Sequence, residues 1–342
     1  MAALLNQPGL AADAAPALPA THLKVVGSWG FLSQYKNFEQ PFWTSKVSET
    51  SGGQITAEIT PFNQMGLKGD EIIRLMRMGL IDFGSAVLAY GATDDTEVEG
   101  LDLAGLSPTA ADARKVVDSY LPVLDAYFQR KHGVKVLSVW PYPAQVIYCK
   151  SKLDRIADLK GRKVRVGTRP IAEFVEALGG VAIDIPFGEA YAQIKRGNID
   201  CAITGTLPGN TARLPEVTHY LYPLPVGWSM AMHGVNLKVW SGLDPAVQAF
   251  LEQGMARLRD DIWAASVRET DEGIRCNTGS GDCSTGHRDD MVLLPVTDED
   301  RRQLRIVLRD VVLRRWAQRC SVACVADWNR TVGKLTGLVA RK

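Results

Sequence analysis

The sequence predicts an α/β protein of two lobes that face each other across a cleft. Three observations carry this. The stretch Asp158 to Thr206 reads strand, helix, strand, helix, strand, an order that implies parallel strands covered by helices. The same order occurs earlier, from Leu23 to Val87. Two extended segments, 134–148 and 226–239, are candidates for strands crossing between the lobes, and the long helix that follows the second is long enough to brace both.

Taken in order, Leu23 to Ser28 is a strand ending at the loop Trp29-Gly30-Phe31. A helix from about Asn37 to Thr50 stops at Ser51-Gly52-Gly53. Gln54 to Thr60 alternates apolar and polar positions as a strand does. The loop Pro61 to Gly66, a helix over Asp70 to Met78 and a strand over Ile81 to Val87 complete the first half. Residues 110–131 form a helix, and Val134 to Trp140 form a strand that continues, after a bend at Pro141, through Tyr142 to Tyr148.

In the second half, the strand Lys163 to Gly167 is followed by a helix from about Pro170 to Leu178, which Gly179-Gly180 ends. Val181 to Ile185 is a strand, Pro186 to Glu189 opens another helix that Gly197 ends, and Ile199 to Thr204 is the third strand. The Glu71, Gly79 and Asp82 spacing matches that of Glu189, Gly197 and Asp200, so the halves read as two related lobes. Asp244-Pro245 starts the long helix, which runs to about Gly273, with an N-cap followed by proline in the first turn. The tail, from about Thr297 to Trp328, is a charged helix containing Trp316, expected on the outside of the second lobe. The lobes are expected at 21–143 with 233–270 and at 144–232 with 271–342, preceded by a leader or signal remnant over 1–20 that lacks a basic start.

Composition narrows the function classes. Thirty-nine basic and 38 acidic residues leave a formal charge of +1, which offers no electrostatic case for nucleic acid. No apolar run is long enough to span a membrane. Of the six cysteines, Cys276 and Cys283 bracket a polar Gly/Ser loop and Cys320 and Cys324 lie four apart, two local pairs that suggest disulfides and an oxidising compartment. Spacing within one helical turn argues against ideal geometry for the second pair. A four-cysteine zinc site is the rival, weakened by the lack of tight CxxC pairs. Cys149 and Cys201 fall in strands and read as packing residues.

Arg165 stands out. Its neighbours Val164 and Val166 share one strand face, so Arg165 points to the other or sits at the strand's end. Ligands in open α/β sheets bind beyond the carboxyl ends of strands, and a guanidinium there recognises a carboxylate in a planar, bidentate way. A solvated arginine on an edge strand is the equal alternative from spacing alone.

The run Asp158 to Arg165, then Pro186-Phe187-Gly188-Glu189-Ala190-Tyr191, then Gly197-Asn198-Ile199-Asp200 resembles the DctP-type extracytoplasmic solute receptors of TRAP transporters. The ordered series carries the resemblance, from about Leu23 to the last helix. It implies a periplasmic-binding-protein-like fold, a periplasmic location, a small organic-acid ligand, delivery to membrane permease subunits, no cofactor, no metal and no catalysis. It also implies that Arg165 binds the ligand carboxylate and that Phe187 packs on the ligand. The remaining candidates lie at carboxyl-end loops and crossing strands: Trp29, Phe31, Gln64, Ser85, Val87, Trp140, Gln145, Thr204 and Trp228. Any single aromatic among them is more often core. Where the family often has a second arginine this chain has Gln145, and where it often has asparagine it has Thr204. Sialic-acid receptors carry an acid in the strand that here reads Ser85-Ala86-Val87. One cation among many aromatics suits a monocarboxylate with an apolar or aromatic body, such as a benzoate-, phenylglyoxylate- or mandelate-like compound. Dicarboxylates, keto acids and sugar acids are the alternatives. An enzyme acting on a small acid is the reading from another class. It lacks GxSxG, HExxH and Walker motifs, and has only His233 or Asp200 as a base.

Overall fold

Two mixed sheets organise the chain, and the backbone passes between them three times, twice by short crossings and once through a long helix. The computed structural model describes residues 18–91 and 95–342. Most of the expected leader, 1–17, lies outside the described residues.

The first sheet has the order β2-β1-β3-β10-β4 and the second β11-β9-β5-β8-β6-β7. Here β1 is Thr21–Gly27, β2 Ile55–Pro61, β3 Phe83–Val87, β4 Val134–Trp140, β5 Gln145–Cys149, β6 Lys163–Val166, β7 Val181–Asp184, β8 Cys201–Gly205, β9 Tyr220–Gly227, β10 Ala231–Asn236 and β11 Val292–Leu293. The repeat read from the sequence is a topological one. β1 lies between β2 and β3, all parallel, as β6 lies between β7 and β8. Beyond the third parallel strand each sheet adds an antiparallel one, β10 beside β3 and β5 beside β8.

Two of the passages are short crossings. Pro141 to Ala144 carries the chain from β4 to β5, and Trp228 to Met230 carries it back from β9 to β10. The Tyr142 N–H donates to Trp228 O at 3.0 Å, tying the two crossings together. The half-buried Asp102 carboxylate accepts from the backbone N–H groups of Trp228 (3.0 Å) and Ser229 (2.7 Å). This holds Ser229 in the left-handed region at φ 53°, where a non-glycine residue costs energy unless its surroundings fix it.

The long helix runs Pro245–Thr278, longer than its expected end near Gly273, and Asp244 caps it by accepting from Ala246 N at 2.8 Å. Its buried face includes Val247, Leu251, Met255, Leu258, Ile262 and Ser266, the spacing of one helical stripe. The Trp263 indole donates to Val139 O in the first sheet, and the Ser266 hydroxyl donates to Pro141 O in the crossing. The Asn277 amide donates to the Tyr148 hydroxyl of the second sheet at 2.8 Å. Gly273 lets the helix Thr206–Thr211 approach, because a Cβ there meets Leu207 N at 2.3 Å.

Two expectations change. Cys149 and Cys201 are disulfide-bonded, not merely packed. They sit directly opposite each other on antiparallel β5 and β8, where facing Cβ atoms come within bonding reach; the sequence shows the strands but not their pairing. The local pairs Cys276–Cys283 and Cys320–Cys324 are both disulfides. The helix breaks at Cys320 and Ser321, both extended, so the second pair is not confined to one helical turn. The tail also differs. It packs on both lobes: the Trp316 and Trp328 indoles donate to Thr96 O and Gly100 O, while Arg319 pairs with Glu99 and Glu173. Buried indole N–H groups need acceptors, and the backbone carbonyls of residues 96–100 provide them.

Candidate functional site

Arg165 projects from β6 among the carboxyl ends of its neighbours and is 3% exposed. Its Nε and Nη2 donate to Ile185 O at 3.1 and 3.0 Å, and Nη1 donates to Ile203 O at 3.3 Å. A guanidinium carries one N–H on Nε and two on each Nη. These three bonds therefore leave one N–H on each terminal nitrogen, the pair that a carboxylate takes in a fork. Arg165 makes no salt bridge among the described residues. Burial pulls its pKa down, while Tyr90 and Asp184 push it back up. Gly167 makes room for the guanidinium, since a Cβ there lies 3.0 Å from Nη2.

The guanidinium borders a cavity with about 40 Å³ open to the centres of water molecules, more than one water needs. Of the residues expected at the site, Arg165, Gln145, Phe187, Thr204, Trp29 and Val87 line it. Trp29 and Val87 follow or end strands of the first sheet, and Arg165 and Thr204 belong to the second, so the cavity lies between the lobes. Gln145 donates through Nε2 to Pro143 O at 3.0 Å, which leaves its carbonyl oxygen for another partner.

Phe31 does not border the cavity but stacks on Phe187, with ring centroids 6.1 Å apart and planes 17° apart. Trp29 meets Phe187 edge-on at 6.2 Å, and the Arg165 guanidinium lies over the Phe187 ring at 5.8 Å. These rings join the lobes directly above the cation.

Four expected residues lie elsewhere. Gln64 is exposed on the turn Phe62–Gln64. Ser85 is buried and bonded to His233 Nδ1 at 2.8 Å. Trp140 stacks on the same imidazole at 6.0 Å, and Trp228 is buried with its indole donating to Ser107 O. His233 itself is a core residue between Trp43 and Trp140; desolvation lowers its pKa to about 3, so it stays neutral. Asp200 accepts from Lys163 N at 2.8 Å and serves the sheet.

The cavity also takes in residues the sequence reading passed over, notably Tyr90, Tyr142, Thr168 and Ser229. Thr168 was within reach, because it immediately follows Gly167 at the strand-to-helix turn and caps the helix Arg169–Ala177 by accepting from Ile171 N. Tyr90 follows β3 by three residues. Tyr142 and Ser229 lie in the two crossings, and nothing local in the sequence marks a crossing as a cavity wall.

Comparison with known proteins places this architecture. The chain is similar over residues 33–317 to the model of DctP, bacterial extracellular solute-binding protein, family 7. It is 22% identical over 205 residues to the ectoine-binding periplasmic protein TeaA of Halomonas elongata, spanning 58% of this chain and 59% of that one. In fold it is similar to DctP7, a Bordetella pertussis extracytoplasmic solute receptor binding pyroglutamic acid. The TM-score is 0.80 at 18% identity, over 92% of this chain and 99% of that one. A TRAP periplasmic solute-binding protein from Desulfovibrio salexigens, with bound orotic acid, gives a TM-score of 0.79 at 18% identity over 92% and 99%. The family match, over a fold of two sheets, two crossings and a cleft, makes the chain a member of the DctP family of bacterial extracellular solute-binding proteins, which are receptors rather than enzymes.

Proposed function

We propose that this receptor captures an organic monocarboxylate in the cleft, pairs its carboxylate with Arg165, and hands it to the membrane permease subunits of a TRAP transporter in the periplasm. The carrying observation is the buried guanidinium with one N–H free on each terminal nitrogen. Two such donors fit one carboxylate, and little water competes. The helix Arg169–Ala177 begins beside the cavity at Thr168 and Ile171, and its positive end favours an anion there. Trp29, Phe31 and Phe187 supply a ring-lined wall for an apolar or aromatic body, and Gln145 and Thr204 supply neutral polar contacts.

A compact cyclic acid with polar ring atoms is the second reading. Two relatives in fold hold pyroglutamic and orotic acid, and the cavity here is small. The cleft opens by rotation about the crossings at 141–144 and 228–230.

A thermal-shift and calorimetric screen of carboxylates tests this, run on the wild type and Arg165→Ala. An acid that binds only the folded state raises the melting temperature by mass action. The expected outcome is a shift by small monocarboxylates that Arg165→Ala reduces at least about tenfold in affinity, the scale of a lost charge-assisted pair. Equal binding by the variant removes Arg165 as the anchor.

A further inference from the structure

We infer that Glu39 is a positioning residue for ligand binding, which holds the first-lobe wall of the cavity in place from behind; this rests on the reading of that cavity as the ligand site. Glu39 ends the helix Gln34–Glu39 and is 0% exposed. Its Oε2 accepts from the Ser28 backbone N–H at 2.8 Å. Ser28 directly follows β1 and directly precedes Trp29, a residue of the cavity wall. The carboxyl therefore grips the chain one residue before a ring that borders the ligand space. Gly27 lets the helix come this close, because a Cβ there meets the Tyr35 ring at 2.5 Å.

The same carboxyl reaches two more wall residues. The Ser28 side chain bonds the Tyr142 hydroxyl, and Tyr142 lines the cavity from the crossing between β4 and β5. The Ser85 side chain bonds Glu39 as well, and β3, which carries Ser85, ends at Val87 in the wall. Ser85 in turn meets His233 Nδ1 at 2.8 Å, on the strand that leaves the second crossing. Groups from β3 and from the end of β1 thus converge on one acid. A carboxyl group has the lone pairs to take them, whereas an apolar side chain of that size leaves the Ser28 N–H buried without an acceptor. Burial raises the Glu39 pKa, and the Ser28 and Ser85 contacts oppose the rise. The acid is expensive to place where it stands, and packing alone gives no reason for it. Glu39 does not line the cavity itself, so its effect on a ligand passes through Trp29, Tyr142 and Val87.

The test compares Glu39→Gln, which keeps a carbonyl oxygen for Ser28, with Glu39→Met, which fills the same space without one. Leu124→Ala, on the buried face of the helix Ala110–His132 and outside the cavity wall, is the control for lost stability alone. Two quantities are read: deuterium exchange of the amides of residues 26–32 in the ligand-free protein, and calorimetric affinity for pyroglutamate and phenylglyoxylate. Glu39→Met is expected to speed exchange in that segment and to weaken binding, each by at least about tenfold, the scale of an acceptor taken from a buried N–H. Glu39→Gln is expected to stay within about threefold of the wild type in both, because its amide oxygen still accepts. Leu124→Ala is expected to lower the melting temperature but to leave affinity within about threefold. Equal affinity in Glu39→Met and the wild type, a loss in Glu39→Gln as large as in Glu39→Met, or an equal loss in Leu124→Ala each overturns the inference. Should Glu39→Met fail to fold, exchange in the wild type decides: a Ser28 amide as fast as an exposed loop amide overturns the inference, and a protected one supports it. If Arg165→Ala binds both acids as the wild type does, the carboxylate anchor fails while the Glu39 comparison stands. If the wild type binds neither acid, the ligand reading fails, and exchange of residues 26–32 in the two Glu39 variants alone decides for or against Glu39.

Discussion

Glu269 shows how far burial can move one side chain. It projects from the long helix toward Ser33 and Gln34, whose side chains donate to its Oε2 at 2.8 and 3.3 Å. Burial raises its pKa to about 7, Ser33 opposes the shift, Glu272 adds to it and Arg268 opposes it. The unfolded chain releases this proton near the ordinary carboxyl value, whereas the folded chain keeps it to about 7. Between those values the folded state holds more protons, so stability falls as pH rises through the window and levels off above it. The full effect is about 3 kcal/mol at 1.36 kcal/mol per pKa unit. Urea unfolding from pH 4.5 to 7.5 should therefore show a smaller decline for Glu269→Gln than for the wild type. Parallel curves for the two proteins refute the assignment. Arg165 is the opposite kind of buried charge. It keeps its proton, because arginine does so even when desolvated, and three carbonyl contacts compensate its burial.

Between elements, contact distance decides what a substitution costs. The long helix meets the helix Thr206–Thr211 at Gly273, where a Cβ falls 2.3 Å from Leu207 N and 2.5 Å from Thr206 C. Those are backbone atoms and cannot rotate aside. Gly273→Ala should therefore lower stability by roughly 1–3 kcal/mol, against the small gain alanine brings to an exposed helix position. Chemical denaturation measures this, and a stability equal to the wild type contradicts the close approach. The disulfide Cys149–Cys201 works at the same scale, joining β5, which arrives from a crossing, to β8, which ends beside Arg165.

In the molecule as a whole, the two lobes touch across the cleft. Phe31 on Phe187 and Trp29 against Phe187 bring the lobes together over a cavity with room for only a few water molecules. Parting of the lobes at these rings is the expected way for an acid to enter. A hinge motion is expected at the crossings 141–144 and 228–230, and the long helix is bonded to both sides. Small-angle scattering should accordingly give a larger radius of gyration for the ligand-free protein than for the protein saturated with a bound acid. An identical radius in both states excludes hinge closure as the binding step.

The strands and helices were legible in the chain because local chemistry dictates them. Proline after Asp244, glycine at 179 and 197, and alternation from Gln54 to Thr60 act over a few residues. The relation between the lobes was legible too, since the spacing of Glu71, Gly79 and Asp82 recurs at Glu189, Gly197 and Asp200. Arg165 was visible as a charge set between Val164 and Val166 near a strand's carboxyl end, and the structure shows it making no salt bridge among the described residues, with two N–H groups left over. Tertiary structure alone decided the rest. Whether Cys149 meets Cys201 depends on which strands pair and in which register. Whether Trp140 and Ser85 face the cavity or the core around His233 depends on how β4, β3 and β10 lie side by side. Tyr142 and Ser229 become cavity wall only because two segments far apart in sequence cross between the sheets at one place. Local sequence acts through short-range sterics and hydrogen bonding, whereas a cavity between lobes is set by long-range packing, and that information is spread over the whole chain.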